Sequence, residues 1–223
     1  MVRTRMFGFV KSTWNPVVGC THLCVYCWAR RQAKRQKKRC KLCYEFVPHL
    51  HEKRLKRKWR DPKLIFVVDM GDLFCSAVPD EWILRVLNVV RENPHCMFLF
   101  MTKNPARYFD FNFPDNAILG TTIETNRSYN VSKAPPPEER YEAMRDLDHE
   151  YKFVSIEPIM DFDMDVLVEW IRDIKPLRVA VGYDNYQYYP LVEPPLSKTI
   201  ELIEKLHYFT DVEPKTLFRG RKR

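Results

Sequence analysis

The run "VVGCTHLCVYCWA", residues 17–29, constrains this chain more than any other stretch, because it sets Cys20, Cys24 and Cys27 at the spacing C-x3-C-x2-C. Thiols this close in sequence point to metal chemistry before packing, and the chain's seven cysteines cannot all pair as disulfides. A structural zinc ion takes four ligands, whereas this run offers three. The remaining ligand therefore comes from elsewhere in the chain or from outside it.

Two ligand sets answer that requirement. In the first, Cys24 and Cys27 form one C-x2-C knuckle and Cys40 and Cys43 a second, twelve residues on, an arrangement close to a zinc ribbon. It leaves Cys20 without a role. In the second, Cys20, Cys24 and Cys27 hold three irons of a cubane iron–sulfur cluster, and the fourth iron is open to an exogenous ligand.

Charge narrows the partners. Residues 30–60 hold fourteen Lys and Arg side chains against only Glu45 and Glu52, so this segment carries +12 and the rest of the chain −4. Arg35, Lys37, Lys38, Arg39, Arg54, Arg57 and Lys58 lie within its basic runs, with Trp28, Tyr44, Phe46 and Trp59 interleaved. Cations neutralise phosphates and aromatic rings stack on unpaired bases, so the pattern predicts an RNA or DNA partner. A merely solvated charged surface would mix signs, and this one does not. A smaller basic run, residues 219–223, ends the sequence. No apolar stretch has the length of a membrane span, and the N-terminal "MVRTRMFGFV" lacks the apolar core of a signal peptide. No membrane partner and a cytoplasmic location are the expectations.

Beyond residue 60, apolar β-rich runs alternate with helical patterns. "LIFVVDM" (64–70), "MFLFMTK" (97–103), "AILGTTIET" (117–125), "YKFVSIEPI" (151–159) and "LRVAVGY" (177–183) predict buried parallel strands. Between and after them, "PDEWILRVLNVVRENP", "EERYEAMRDL", "MDVLVEWIRDIK" and "SKTIELIEKLHYF" predict helices, the first capped by Asp80 and the last by Ser197. With one more strand before the cysteine run, about six βα units result, too few for the usual eight of a closed barrel. The expected fold is α/β: a partial (β/α)6 TIM-like barrel with parallel strands. Residues 1–223 form a single domain in this reading, with 28–62 a basic, cysteine-containing insertion after the first strand and 219–223 a basic tail.

The cysteine spacing, with aromatic Tyr26 just before the last cysteine and a strand just before the run, resembles the signature of the radical S-adenosylmethionine (SAM) superfamily. "STWNPVVGC", "VVDMGDLF", "VPDEW", "MTKNP", "GTTIET" and "VSIEPI" are similar, in order, to the landmarks of a short phage and archaeal branch of it, and together cover most of residues 11–184. The resemblance implies a [4Fe-4S] cluster on Cys20, Cys24 and Cys27, with SAM itself as the missing ligand. One electron, from a reductant such as a ferredoxin or flavodoxin, would break a sulfonium C–S bond, and the 5′-deoxyadenosyl radical so formed would abstract a hydrogen atom from substrate.

The same resemblance assigns SAM-binding roles to Tyr26, to Met70, Gly71 and Asp72 where the superfamily has a Gly-Gly-Glu-like turn, and to Thr122 and Glu124. It puts Lys103 against the SAM carboxylate or the substrate, and Glu157 at the barrel mouth. The plainer alternatives are a capped turn for Asp72, a solvent-facing Lys103 and a salt-bridged Glu157. Cys75 is either a hydrogen-atom donor to a substrate radical or a free buried cysteine. Cys40 and Cys43, with His49 and His51 nearby, would hold a zinc that staples the insertion, or would join Cys75 around a second iron–sulfur cluster. Tyr183, Tyr186, Tyr188 and Tyr189 line a pocket or pack a loop. The reading favoured here is a radical-SAM enzyme acting on a nucleic acid or a nucleotide-containing substrate. Its rivals are a zinc-ribbon-like nucleic-acid-binding protein without catalysis and a radical-SAM enzyme acting on a protein or small molecule.

Overall fold

The side chains of "MFLFMT" alternate between two apolar environments, and that alternation sets the layering of the molecule. In the computed structural model, which describes residues 7–217, Phe98 and Phe100 enter one core cluster while Leu99 and Met101 enter another. A strand whose neighbours point to opposite faces, both apolar, is a strand buried on both sides. The same holds along the sheet. β1 (Ser12–Trp14), β4 (Leu64–Val67), β5 (Met97–Thr102), β6 (Ala117–Thr122), β7 (Lys152–Ile156), β8 (Arg178–Val181) and β9 (Asp211–Pro214) lie side by side in that order, every pair parallel. The sheet curls into a half-barrel, so the fold is the expected partial TIM-like barrel.

Helices α4 (Asp80–Arg91), α5 (Pro137–Asp146), α6 (Met164–Ile174) and α7 (Leu196–His207) follow β4, β6, β7 and β8. Ile83, Val86, Leu87, Met144, Leu167, Ile171, Leu202 and Leu206, all fully buried, seal one face of the sheet. Phe7 and Phe9 stack on each other and meet Phe153 edge-on on the opposite face, filling part of the half-barrel's interior. A 3-10 helix, Pro105–Asp110, takes the place of a full helix after β5, with Tyr108 anchored by its hydroxyl on the Gly120 carbonyl at 2.8 Å.

The structure departs from the sequence reading in two respects. β9 adds a seventh strand, one that "DVEP" does not announce because its alternate side chains are acidic and partly exposed at the sheet edge. Neither Asp80 nor Ser197 caps its helix: both lie one or two residues inside, and Pro79 and Pro195 occupy the cap positions, where a fixed φ and no need for a donated hydrogen suit a helix start. The basic tail, residues 219–223, lies outside the described residues.

Between β1 and β4 the chain forms a short ribbon of β2 (Val17–Val18) antiparallel to β3 (His49–Leu50). The basic segment 28–62 contributes β3 and the helices α1 (Trp28–Ala33), α2 (Lys41–Glu45) and α3 (Glu52–Leu55). Trp59 ties it back to the barrel, edge-on to Trp14 at 5.3 Å and to Phe98 at 5.2 Å. Trp14 is thus a packing residue, buried at 5% exposure. Phe98→Ala, which empties the centre of this aromatic group, is expected to cost about 3–5 kcal/mol of unfolding free energy, measured by urea denaturation.

Candidate active site

The cysteine run sits at the carboxyl ends of the strands, where parallel α/β sheets place their ligands. It is stitched there by backbone. Gly19 forms a parallel bridge with Gly71: the Gly19 N–H donates to the Met70 carbonyl at 3.0 Å, and the Asp72 N–H donates to the Gly19 carbonyl at 3.4 Å. Neither position tolerates a side chain. Gly19 has φ +103°, and a Cβ there would lie 2.4 Å from the Val47 carbonyl; one on Gly71 would lie 2.5 Å from the Gly19 oxygen.

Cys20, Cys24 and Cys27 all line one cavity of about 510 Å³, and none is in a disulfide. Backbone donors already point at two of the sulfurs: His22 N–H to Cys20 Sγ at 3.4 Å and Arg30 N–H to Cys27 Sγ at 3.3 Å. Cys27 caps α1, so the positive end of the helix faces its sulfur. Arg30 donates to the Cys20 carbonyl at 3.1 Å, and its Nε is buried without a partner beside this loop. Three separated thiols, N–H···S donors, an unspent guanidinium N–H and open space on one side fit a three-thiolate cluster.

Asp72 and Lys103 form the wall opposite. Asp72, 5% exposed, takes four hydrogen bonds: His22 Nε2 at 2.9 Å, Thr102 Oγ1 at 2.7 Å, and the N–H groups of Lys103 and Phe74 at 2.9 Å each. Burial pushes its carboxyl up, but these donors outweigh burial and hold it below the usual carboxylate range. Glu124, 2% exposed, is ringed by Lys103 Nζ, the Tyr26 hydroxyl and Arg140, whose guanidinium lies 2.7 Å from Oε2. Burial raises this carboxyl too, yet the two cations hold it at about 2. Tyr26 and Lys103 line the cavity, and Glu124, bonded to both, is not part of the lining. Thr122 lines the cavity directly, and so do Gly71 and Asp72, while Met70 borders a different one, described below.

Glu157 also lines the cavity, paired with Lys215 Nζ at 3.0 Å and Ser155 Oγ at 3.2 Å. Burial leaves its carboxyl above the ordinary range despite Lys215, and burial does the same to Asp69 nearby. Tyr183 and Tyr186 reach the rim; Tyr186 stacks on Tyr188 at 5.2 Å, and Arg31 lies 3.9 Å over the Tyr188 ring. Cys75 is fully buried and outside the cavity lining. The neighbouring Cys75 sulfur drives the Cys20 thiol far up, and Cys20 in turn draws Cys75 down to about 6. His22, Arg140 and Lys215 were not singled out in the sequence. Only His22 carried a signal, by lying inside the cysteine run.

The remaining thiols gather elsewhere. Cys40, Cys43, His49 and His51 bring their ligand atoms within 4.8 Å of one another, a set able to hold a metal ion. This grouping corrects the ribbon arrangement, because Cys24 and Cys27 belong to the main cavity, and it equally separates Cys40 and Cys43 from Cys75. Cys96 is buried in the core. Arg35, Lys37, Lys38, Arg39, Arg54, Arg57 and Lys58 are all exposed. Lys53, Arg54, Lys56 and Arg57 border a second cavity of about 600 Å³ between Cys43 and β1, and Met70 reaches it. Two of the four aromatics expected as stacking surfaces are not available: Phe46 is 2% and Trp59 6% exposed, because each packs the insertion's underside.

Glu124→Gln strands Lys103 and Arg140 around a neutral amide, so an unfolding free energy lower by about 3 kcal/mol is expected. A depressed carboxyl stabilises fully above its ordinary 4.5 and less as pH falls toward about 2. The difference between wild type and variant, measured by denaturation of the apoprotein, should therefore shrink across that window.

Comparison with solved structures finds the same fold at low identity. A cysteine-to-serine mutant of spore photoproduct lyase superposes with a TM-score of 0.58 at 12% identity, over 95% of this chain and 66% of that one. A double mutant of that enzyme with bound AdoMet and dinucleoside spore photoproduct gives 0.55 at 12%, with the same coverage. The enzyme complexed with dinucleoside spore photoproduct gives 0.56 at 11%, again with 95% and 66% covered. The chain thus spans just under two thirds of the length of these neighbours. No curated protein matches the sequence. The family described as "Protein of unknown function (DUF5131)" matches residues 5–174, well over half of the sequence, and the chain belongs to that family.

Proposed function

We propose that this protein is a radical-SAM enzyme acting on a nucleic acid or a nucleotide-containing substrate. The observation that carries the reading is the convergence of Cys20, Cys24 and Cys27 on one cavity at the carboxyl ends of a parallel half-barrel. Support for SAM and for the substrate class comes from neighbours of this fold that hold AdoMet and a dinucleoside photoproduct. In this reading the three thiolates would hold a [4Fe-4S] cluster. With SAM on its open iron, it would supply one-electron cleavage of a sulfonium bond and hydrogen-atom abstraction, the electron coming from a ferredoxin- or flavodoxin-type donor.

The chain's own residues have distinct tasks. The His22 and Arg30 N–H groups stabilise thiolate charge on Cys20 and Cys27. Asp72, pinned by four donors, is a fixed acceptor for an ammonium group at the cavity wall. Lys103, held by Glu124, presents a cation to a carboxylate. Glu157 with Lys215, and Thr122, remain to orient a ribose or substrate. The exposed cations of the insertion, beside the cavity bordered by Lys53, Arg54, Lys56 and Arg57, would track a phosphate backbone.

Three measurements test this. Anaerobically purified protein should contain about four irons per chain, lost in Cys20→Ala, and when reduced should release 5′-deoxyadenosine from SAM. Iron-free protein, or iron unchanged in the variant, would remove the enzyme reading. Binding to RNA and DNA should weaken steeply with salt, and each phosphate-contacting cation removed, Arg57 or Lys58 by alanine, should reduce the slope of log K against log salt by about 1. A flat response would leave the cluster intact and discard the nucleic-acid substrate.

A further inference from the structure

We propose that Cys40, Cys43, His49 and His51 bind a structural Zn²⁺ ion, and that this ion braces the loop carrying Cys20. A tetrahedral S₂N₂ zinc site, with Zn–S near 2.3 Å and Zn–N near 2.0–2.1 Å, puts its sulfur and nitrogen ligands about 3.5 Å apart. Here His49 Nε2 lies 3.5 Å from Cys40 Sγ and 3.4 Å from Cys43 Sγ, and His51 Nε2 lies 3.3 Å from Cys43 Sγ.

Hydrogen bonding alone does not account for this convergence. His49 Nδ1 lies 2.8 Å from the Val47 carbonyl, an acceptor, so Nδ1 carries the proton and Nε2 keeps one lone pair. Two sulfurs face that single lone pair, which can accept from one thiol. A cation at the centre satisfies all four groups, with the Val47 carbonyl orienting the imidazole as outer partners of metal-bound histidines do. The local chain has the form of a zinc knuckle: Cys40 caps α2 and accepts from the Cys43 N–H at 3.3 Å, and Phe46 turns the chain back through φ 61°. Two thiolates and two imidazoles in a closed set with no carboxylate favour zinc over the harder divalent cations, and binding releases both thiol protons.

The brace follows from register. His49 is paired with Val18 across the β2–β3 ribbon, and Val18 runs through Gly19 into Cys20. Between the zinc ligands Cys43 and His49, the Phe46 carbonyl accepts from the Cys20 N–H at 3.3 Å, and Val47 closes against Gly19. His51 occupies the position just before α3, which carries Lys53 and Arg54. The ion would therefore fix the insertion's basic helix and the first cysteine of the main cavity together.

The test is elemental analysis of the full-length protein purified without oxygen. About one zinc per chain is expected, lost in Cys43→Ser and in His51→Ala, kept in His51→Cys, and kept in Cys20→Ala. Should Cys43→Ser fail to fold, wild-type protein stripped of metal and refilled with Co²⁺ should show the visible bands of a tetrahedral thiolate site, absent when His51→Ala is treated alike. Wild type devoid of zinc after zinc supplementation, zinc unchanged in Cys43→Ser, or iron in zinc's place would overturn the site. Zinc retained in Cys20→Ala while iron is absent from wild type would uphold the site and overturn the enzyme reading instead. Zinc loss by His51→Ala with Cys20 reactivity toward a thiol-labelling reagent unchanged in the apoprotein would overturn the brace.

Discussion

The carboxylate of Glu124 is buried and charged, and three parts of the chain are arranged around satisfying it. Lys103 comes from the end of β5, Arg140 from α5, and Tyr26 from the loop between Cys24 and Cys27. A charge so far from water is tolerable only when every lone pair is matched. The position of the cysteine loop over the sheet is thereby linked to the position of a helix on the far side of β6. Arg140 also holds the Thr122 and Pro135 carbonyls, so the strand end, the connector and the helix start share one guanidinium.

The loop that carries Cys20 is held twice more, by backbone alone. One side is the Gly19–Gly71 bridge, which continues the β1–β4 pairing past the last regular residue of either strand. The other is the Phe46–Val47 segment of the insertion. Gly19 lies between the two, and only a residue without a side chain fits there at positive φ. The segment that carries the exposed cations is thus packed directly against the backbone of the cysteine loop.

Much of this was legible in the residues. Uninterrupted runs such as "MFLFMT" and "KFVSI" read as strands because both sheet faces are apolar, and the helix patterns between them imposed parallel pairing. The clustering of Cys20, Cys24 and Cys27 is local, so spacing alone exposed it, as did the sign of residues 30–60. Other features were out of reach. The pairing of Glu124 with Arg140 is one, because nothing in the residues around Glu124 announces an arginine that sits in an ordinary polar helix. The expected stacking roles of Phe46 and Trp59 failed because an aromatic residue among lysines looks exposed until its packing partners, here Trp14 and Phe98 for Trp59, are known.

The sequence by itself determined the layered parallel fold, the three-thiol run at a strand end and the one-signed charge of the insertion, since periodicity, spacing and charge are properties of neighbours along the chain. Tertiary structure alone decided which cysteines act together. It set Cys40 and Cys43 with His49 and His51, Cys75 against Cys20, and Glu124 with Lys103 and Tyr26. The reason is physical: burial and ligand geometry depend on distances across elements, and those distances exist only once the sheet has curled and its loops have closed over its carboxyl end.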